Sequence, residues 1–353
     1  MSAIPPTAVL PAEWHPQDGV LLIWPHPNSD WAPLLDRVEP VFEQMISAIA
    51  AEEIALVVAY DQEHLNYLTK RLARLNLPPN RLWLSIAPSN DTWARDSGPL
   101  TIFNAQATQL INYQFNGWGG KYPHQDDSLL VQRLAEQSIF KAPLLAQDRI
   151  LEGGGIDSNG QGSLLTTTTC LLTATRGGFK REDWEQTFQQ TLGIQQTHWI
   201  ENAWLEGDDT DGHIDNLARF TNSQQILYAS CEDTADSHFA SMQALETELK
   251  ALRNIQDQAY ECIPLPLPSR IGSSEDDRRL PASYANFLII NNAVLVPSFG
   301  DPNDAVAMQR LQSAFPNRKM IPIDSRPLVE QNGGIHCLTM QLPRGTLVTK
   351  SLS

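Results

Sequence analysis

Two apolar periodicities alternate along this chain, and that alternation limits its fold more than any other feature. Strand-like runs bounded by Gly, Pro, Asn or Asp occur at GVLLIWP (19–25), EIALVVAY (53–60), RLWLSIAP (81–88), PLTIFN (99–104), QLINYQF (109–115) and GSLLTTTTCLL (162–172). They continue at HIDNLARFT (213–221), QILYAS (225–230), ANFLIINNAVLVPSF (285–299) and GIHCLTMQLP (334–343). Between them, residues 34–52, 63–76, 126–138, 181–193, 235–254 and 301–315 place apolar side chains three and four apart, the helical spacing. Strand and helix periods that interleave from end to end predict a mixed α/β class.

The alternation also repeats coarsely. Polar motifs punctuate strand ends near Trp24, Asp96, Glu152, His213 and the 288–297 strand, at gaps of 72, 56, 61 and about 75 residues. This spacing predicts five units, each a few strands and a helix. A length of 353 residues would ordinarily suggest two domains. No linker or low-complexity tract interrupts the repetition, so one domain over 1–353 is expected.

Composition narrows the function classes. The net charge is −16, which disfavours a phosphate backbone as partner and favours a small cationic one. No stretch approaches the roughly 18 apolar residues of a membrane span, and MSAIPPTAVLPAEW lacks the basic and apolar regions of a leader. The expectation is a cytoplasmic protein without membrane or nucleic-acid contact. The four cysteines, Cys170, Cys231, Cys262 and Cys337, form no CxxC pair, so neither a zinc site nor a disulfide framework is expected. No Gly-rich phosphate loop follows a strand, so nucleotide binding has no support either.

Four polar clusters remain: NDTWARDSGP (90–99), LEGGGID (151–157), EGDDTDGHID (206–215) and GGIHC (333–337). An acidic loop is usually just solvated. If 213–221 is a strand, however, His213 and Asp215 share one face and enter one site together. His336 adjoins Cys337, but adjacent strand residues face opposite ways, which makes His336 a structural neighbour and His213 the better base. Two or more carboxylates around a thiol would hinder a protease by raising the thiol pKa. They suit a planar cation instead. Asp96 and Asp215 can hold a guanidinium bidentately while Cys337 attacks its carbon, and the Trp93 ring can cover one face. The chemistry thus points to guanidine hydrolysis with no metal and no cofactor.

These residues sit in motifs that resemble the agmatine deiminase family, which is grouped with bacterial peptidylarginine deiminases among the guanidino-group-modifying enzymes. The resemblance rests on WARDSGP, FNGWGG (115–120), LEGG, DGHIDN (211–216), RLPASYANF (279–287), PSFGDPND (297–304) and GGIHC, and runs from about residue 10 to 345. It implies a pentein fold, a five-bladed α/β-propeller with pseudo-fivefold symmetry and the active site on its axis. It further implies Cys337 as nucleophile, His213 as general acid/base, and Asp96 and Asp215 as the guanidinium-binding pair. Trp93 would lie beside the substrate, and Glu152 would support the histidine or a guanidinium nitrogen. The implied reaction converts agmatine and water to N-carbamoylputrescine and ammonia through a covalent thiouronium, a step of putrescine biosynthesis. Peptidylarginine or free arginine are the alternative substrates, and a non-catalytic guanidine-binding protein is the alternative outside enzymes. A homo-oligomer is compatible with the sequence but not specified by it.

Overall fold

The computed structural model describes residues 8–104 and 107–348. Residues 1–7, on which the leader reading partly rests, lie outside that range. Five sheets form among the described residues, and they repeat one plan. The first contains β1 (Gln17–Ile23), β2 (Ile54–Ala59) and β3 (Leu82–Ile86). The second contains β4 (Leu100–Phe103), β5 (Thr108–Gln114) and β6 (Leu144–Ile150). The third contains β7 (Ile156–Ser158), β8 (Ser163–Thr167) and β9 (Gln196–Ile200). The fourth is β10 (Ala218–Asn222), β11 (Gln225–Ser230) and β12 (Glu261–Pro266), and the fifth β13 (Leu288–Ile289), β14 (Ala293–Ser298) and β15 (Lys319–Asp324). The last strand, β16 (Thr339–Pro343), returns to pair antiparallel with β1.

In every sheet an inner strand runs antiparallel to a central strand, and the central strand runs parallel to an outer one. The parallel step needs a crossover, and a helix supplies it. Leu35–Glu52 joins β1 to β2, Leu130–Glu136 joins β5 to β6, and Arg181–Leu192 joins β8 to β9. Phe239–Ala251 and Asn303–Ala314 do the same for the last two sheets. The first of these helices buries Val38, Phe42, Met45, Ile46 and Ile49, the three-and-four spacing seen in the sequence.

The core lies between sheets. Alternate residues of β1 serve two clusters: Val20 and Leu22 pack with the fifth sheet, Leu21 and Ile23 with the second. Three further clusters join the second sheet to the third, the third to the fourth and the fourth to the fifth. Central strands are therefore buried on both faces and read as continuous apolar runs.

Three expected strands are shorter than the sequence suggested. In the 162–172 run β8 ends at Thr167, whose side chain caps a one-turn helix, Thr168–Leu171. Residues 213–217 are not strand: Asp211 and Gly212 take positive φ, residues Ile214–Asn216 form a 3-10 turn, and β10 starts at Ala218. Residues 334–338 likewise form a turn ahead of β16. The 285–299 run is a tight hairpin of β13 and β14 rather than one strand. Four outer strands, β6, β9, β12 and β15, escaped the pattern. They are polar or proline-bearing and half-exposed, as edge strands are. Among the described residues no helix is long and apolar enough to cross a membrane.

Candidate active site

The polar motifs fall at equivalent places. Asp96 precedes β4, Glu152 precedes β7, His213 and Asp215 precede β10, and Cys337 precedes β16. The remaining inner strand, β13, is preceded by Asn286, which the sequence motif RLPASYANF contained but did not single out. Trp24, the expected marker of the first unit, instead ends the central strand β1, fully buried with its Nε1 on Glu39 Oε1 at 3.0 Å. Cys337 takes its place in the repeat.

Asp96 sits in a one-turn helix, Ala94–Ser97, which is tied to the nucleophile segment by Arg95 N donating to Cys337 O at 3.1 Å. The Trp118 indole N–H donates to Asp96 Oδ2 at 3.0 Å and Gly154 N donates to Oδ1 at 2.9 Å. Gly154 is required by this close approach. A Cβ there would lie 2.6 Å from His213 Nδ1, 2.9 Å from Asp96 Oδ1 and 3.1 Å from Asp215 Oδ2. Those three contacts also show that His213, Asp96 and Asp215 converge, although no shared strand face brings them together.

His213 is placed by its loop. Asp208 accepts from Thr210 Oγ1 at 2.6 Å and Gly212 N at 2.7 Å, and Thr210 Oγ1 accepts from His213 N at 3.2 Å. Neither ring nitrogen of His213 has a hydrogen-bond partner among the described residues, and Asp96 Oδ1 is 3.7 Å from Nδ1. Burial pushes the imidazole pKa down, but Asp96, Cys170 and Glu152 together raise it well above its ordinary value. These surroundings favour the protonated ring. The acidic loop is otherwise employed in structure: Asp211 pairs with Arg176 and Lys121, and Asp209 accepts from Tyr122 and Asn332.

Cys337 is buried, with Sγ 3.4 Å from Asp215 Oδ2. Asn286 Nδ2 donates to the sulfur at 3.1 Å, and its Oδ1 accepts from His336 N at 2.9 Å. Asn286 therefore fixes the turn and points a donor at the Cys337 sulfur. Burial, then the charges of Asp215 and Asp96, push the thiol pKa well above the usual value. Without a cation beside it Cys337 is a thiol.

Trp93 lines the cleft over Cys337 together with Asp96, Trp118 and Gly333. Gly333 is glycine because a Cβ would come within 2.3 Å of the Trp93 ring. Glu152 lies close to His213 but is not hydrogen-bonded to it. Both its oxygens accept from Arg176 Nε, at 3.1 and 2.8 Å, and both side chains are fully buried. Glu152, Cys170 and His213 bring ligand atoms within 4.8 Å of one another. A divalent cation there would face the Arg176 charge that already neutralises Glu152.

His336 departs from the expected structural neighbour. Its turn, not a strand, sets its direction, and Nδ1 meets Asp215 Oδ2 at 2.8 Å. Burial pushes the Asp215 carboxyl up, but His336, His213 and Arg219 outweigh it and hold the group below its ordinary range.

A family model for Porphyromonas-type peptidyl-arginine deiminases matches residues 9–343. The agmatine deiminase of Pseudomonas syringae pv. tomato is 32% identical over 358 residues, covering 95% of each chain. A Porphyromonas gingivalis crystal structure, provisionally named an arginine deiminase, is 41% identical with a TM-score of 0.89, covering 97% of this chain and 100% of that one. A cysteine-to-serine variant of C. jejuni agmatine deiminase with substrate bound is 32% identical with a TM-score of 0.88, covering 96% of this chain and 97% of that one. Matched along nearly its whole length in sequence and in fold, this chain belongs to the Porphyromonas-type peptidyl-arginine deiminase family, which it shares with the agmatine deiminases.

Proposed function

We propose that this protein is a hydrolase that deiminates agmatine to N-carbamoylputrescine and ammonia. One observation carries the reading. Asp96 and Asp215, both buried, converge with His213 beside Cys337, and among the described residues Asp215 Oδ1 has no hydrogen-bond partner. Two carboxylates beside a sulfur repel a thiolate unless a cation lies between them, and a guanidinium fits that role.

Substrate binding places the guanidinium against Asp96 and Asp215. The added positive charge favours loss of the Cys337 proton to solvent. The thiolate attacks the guanidinium carbon, and the His213 imidazolium gives its proton to the departing ammonia. An S-alkylthiouronium remains on Cys337. Neutral His213 then takes a proton from water as the hydroxide attacks the same carbon, and collapse expels the thiolate and the ureido product. Every step is assigned to a thiol, an imidazole or a carboxylate, so the scheme calls on no metal or cofactor. Glu152 acts on His213 through charge while Arg176 holds it in place.

Asp30, Asp209 and Tyr122 also line the cleft. Carboxylates there suit the ammonium end of agmatine and oppose the α-carboxylate of arginine. The relatives named agmatine deiminase support the same substrate. The test is ammonia release from agmatine, free arginine and an arginyl peptide, with Cys337→Ala as control. Equal or higher kcat/KM on arginine, or turnover by Cys337→Ala, would overturn the reading.

We further infer that the five sheets are blades of one domain around a pseudo-fivefold axis, with the site on that axis. Support comes from the five interlayer cores, which link each sheet to the next and the fifth to the first, and from the inner-strand position shared by the site residues.

A further inference from the structure

The proposed chemistry uses the side of Asp215 that faces Cys337. Asp215 Oδ2, 3.4 Å from Cys337 Sγ, also meets His336 Nδ1 at 2.8 Å, and His336 Nε2 meets Glu13 Oε1, also at 2.8 Å. Glu13 precedes β1 and lies 323 residues from His336 in sequence. It is held in turn by Arg95 Nη1 at 3.2 Å, by Gln341 Nε2 at 2.9 Å and by Arg219 Nη2. A pocket of about 60 Å³ backs this group and shares no lining residue with the cleft over Cys337.

We propose that Glu13 and His336 are positioning residues that brace the Asp215 carboxylate beside Cys337 for the substrate cation. The inference rests on the guanidinium reading above. A 2.8 Å contact between two electronegative atoms requires a proton between them. His336 makes two such contacts, but a neutral imidazole has one N–H. The Asp215–His336–Glu13 unit therefore holds two protons, either both on the ring or one on a carboxyl. Burial and the Arg219 and Arg95 charges hold the His336 pKa below its ordinary value, against the upward pull of Glu13 and Asp215. Burial pushes Glu13 up, yet Arg219, His336 and Arg95 hold it well below its ordinary value. With Glu13 ionised and oriented by two guanidiniums, His336 cannot turn away from Asp215 without leaving a buried acceptor unmatched. Asp215 Oδ2 is thereby fixed beside Cys337, and Oδ1 is buried with no hydrogen-bond partner among the described residues.

The test uses two alkylating reagents of nearly equal shape. Chloroacetamidine carries a planar cation and chloroacetamide does not, so the ratio of their rate constants with Cys337 reports the carboxylate clamp without agmatine turnover. His336→Ala should lower that ratio about 10- to 100-fold, the worth of one charge-assisted hydrogen bond, while the chloroacetamide rate stays within a few-fold. His336→Asn, whose Nδ2 can replace the Nδ1–H donor, should recover much of the ratio. Glu13→Gln should lower it several-fold, and it carries the test if His336→Ala does not fold. An unchanged ratio in a variant with native melting behaviour, or His336→Asn no better than His336→Ala, would overturn the brace. A wild-type protein that reacts equally with both reagents would remove the clamp itself, and the brace with it.

Discussion

Asp96 and Asp215 are the same residue, both buried, both facing Gly154, yet their surroundings drive them apart. Burial takes the Asp96 carboxyl up to about 6; His213 opposes this, and the charges of Asp215 and Glu152 add to it. Its direct donors, the Trp118 indole and the Gly154 amide, are neutral dipoles. Asp215 accepts from a histidine backed by Glu13 and two arginines, and it stays below the usual range. The contrast shows that neutral donors aim a buried carboxylate but leave burial to raise its pKa, whereas added formal charge holds it down. Asp215 thus keeps its charge further into acid, and Asp96 gives its charge up as pH falls through about 6.

The largest expected effect comes from removing the permanent charge. Asp215→Asn also turns an amide donor against the substrate's own donors. Two charge-assisted bonds lost, at roughly 1.5–3 kcal/mol each, correspond to about two to four decades in kcat/KM. Asp96→Asn should fall at the lower end of that range, and the double variant should lose less than the sum, because both residues hold one rigid group. A loss below about tenfold in Asp215→Asn, with an unchanged circular dichroism spectrum, would break the comparison.

A pH profile probes the other carboxylate. As pH falls through about 6, Asp96 takes a proton and loses its pairing with guanidinium. The kcat/KM for agmatine should then drop about tenfold per pH unit, while kcat, measured with the cation already bound, should drop later. Asp215 stays ionised over this window because its pKa is depressed. Asp96→Asn should lack the acid limb; its persistence would assign the limb elsewhere.

Trp118→Phe removes one neutral donor from Asp96 Oδ2. About 0.5–1.5 kcal/mol is at stake, or roughly two- to tenfold in kcat/KM, and the acid limb should move to higher pH. A limb that moves to lower pH would contradict the role given to the indole. The smallest effect is expected from chelation. Activity should survive exhaustive EDTA treatment unchanged, and a loss restored by one added metal would return Glu152, Cys170 and His213 to consideration as ligands.

Much of the fold was legible because burial on both faces leaves a plain signature. The continuous runs of β1, β2, β5, β8, β11 and β14 mark the central strands, and the helical spacing marks each crossover. The outer strands were not legible. β12 carries Pro264 and Pro266, β15 carries Pro322, and neither needs a second hydrogen-bonded neighbour in its sheet. At the site, Cys337, His213, Asp96, Asp215, Glu152 and Trp93 were chosen by chemistry and motif, and the structure gathers them in one region. The route was partly wrong. His213 and Asp215 converge through a 3-10 turn instead of a strand face, because Asp208 caps the preceding loop. Asn286 and Trp118 lay within quoted motifs, but an amide and an indole give no sign in sequence that they point at a thiol or a carboxylate.

The sequence by itself determined the α/β alternation and the count of five units, since both follow from local periodicity, and residue chemistry supplied the candidate reactive side chains. The phase of the repeat needed the tertiary structure. β16 completes the sheet that β1 begins, and pairing between chain ends leaves no local trace. So did the fate of each carboxylate. Asp96 and Asp215 read alike in sequence, and only the groups brought behind them, Glu13 among them from the other end of the chain, decide which one keeps its charge. Electrostatic energy in a buried site depends on distance through space, and sequence separation does not encode it.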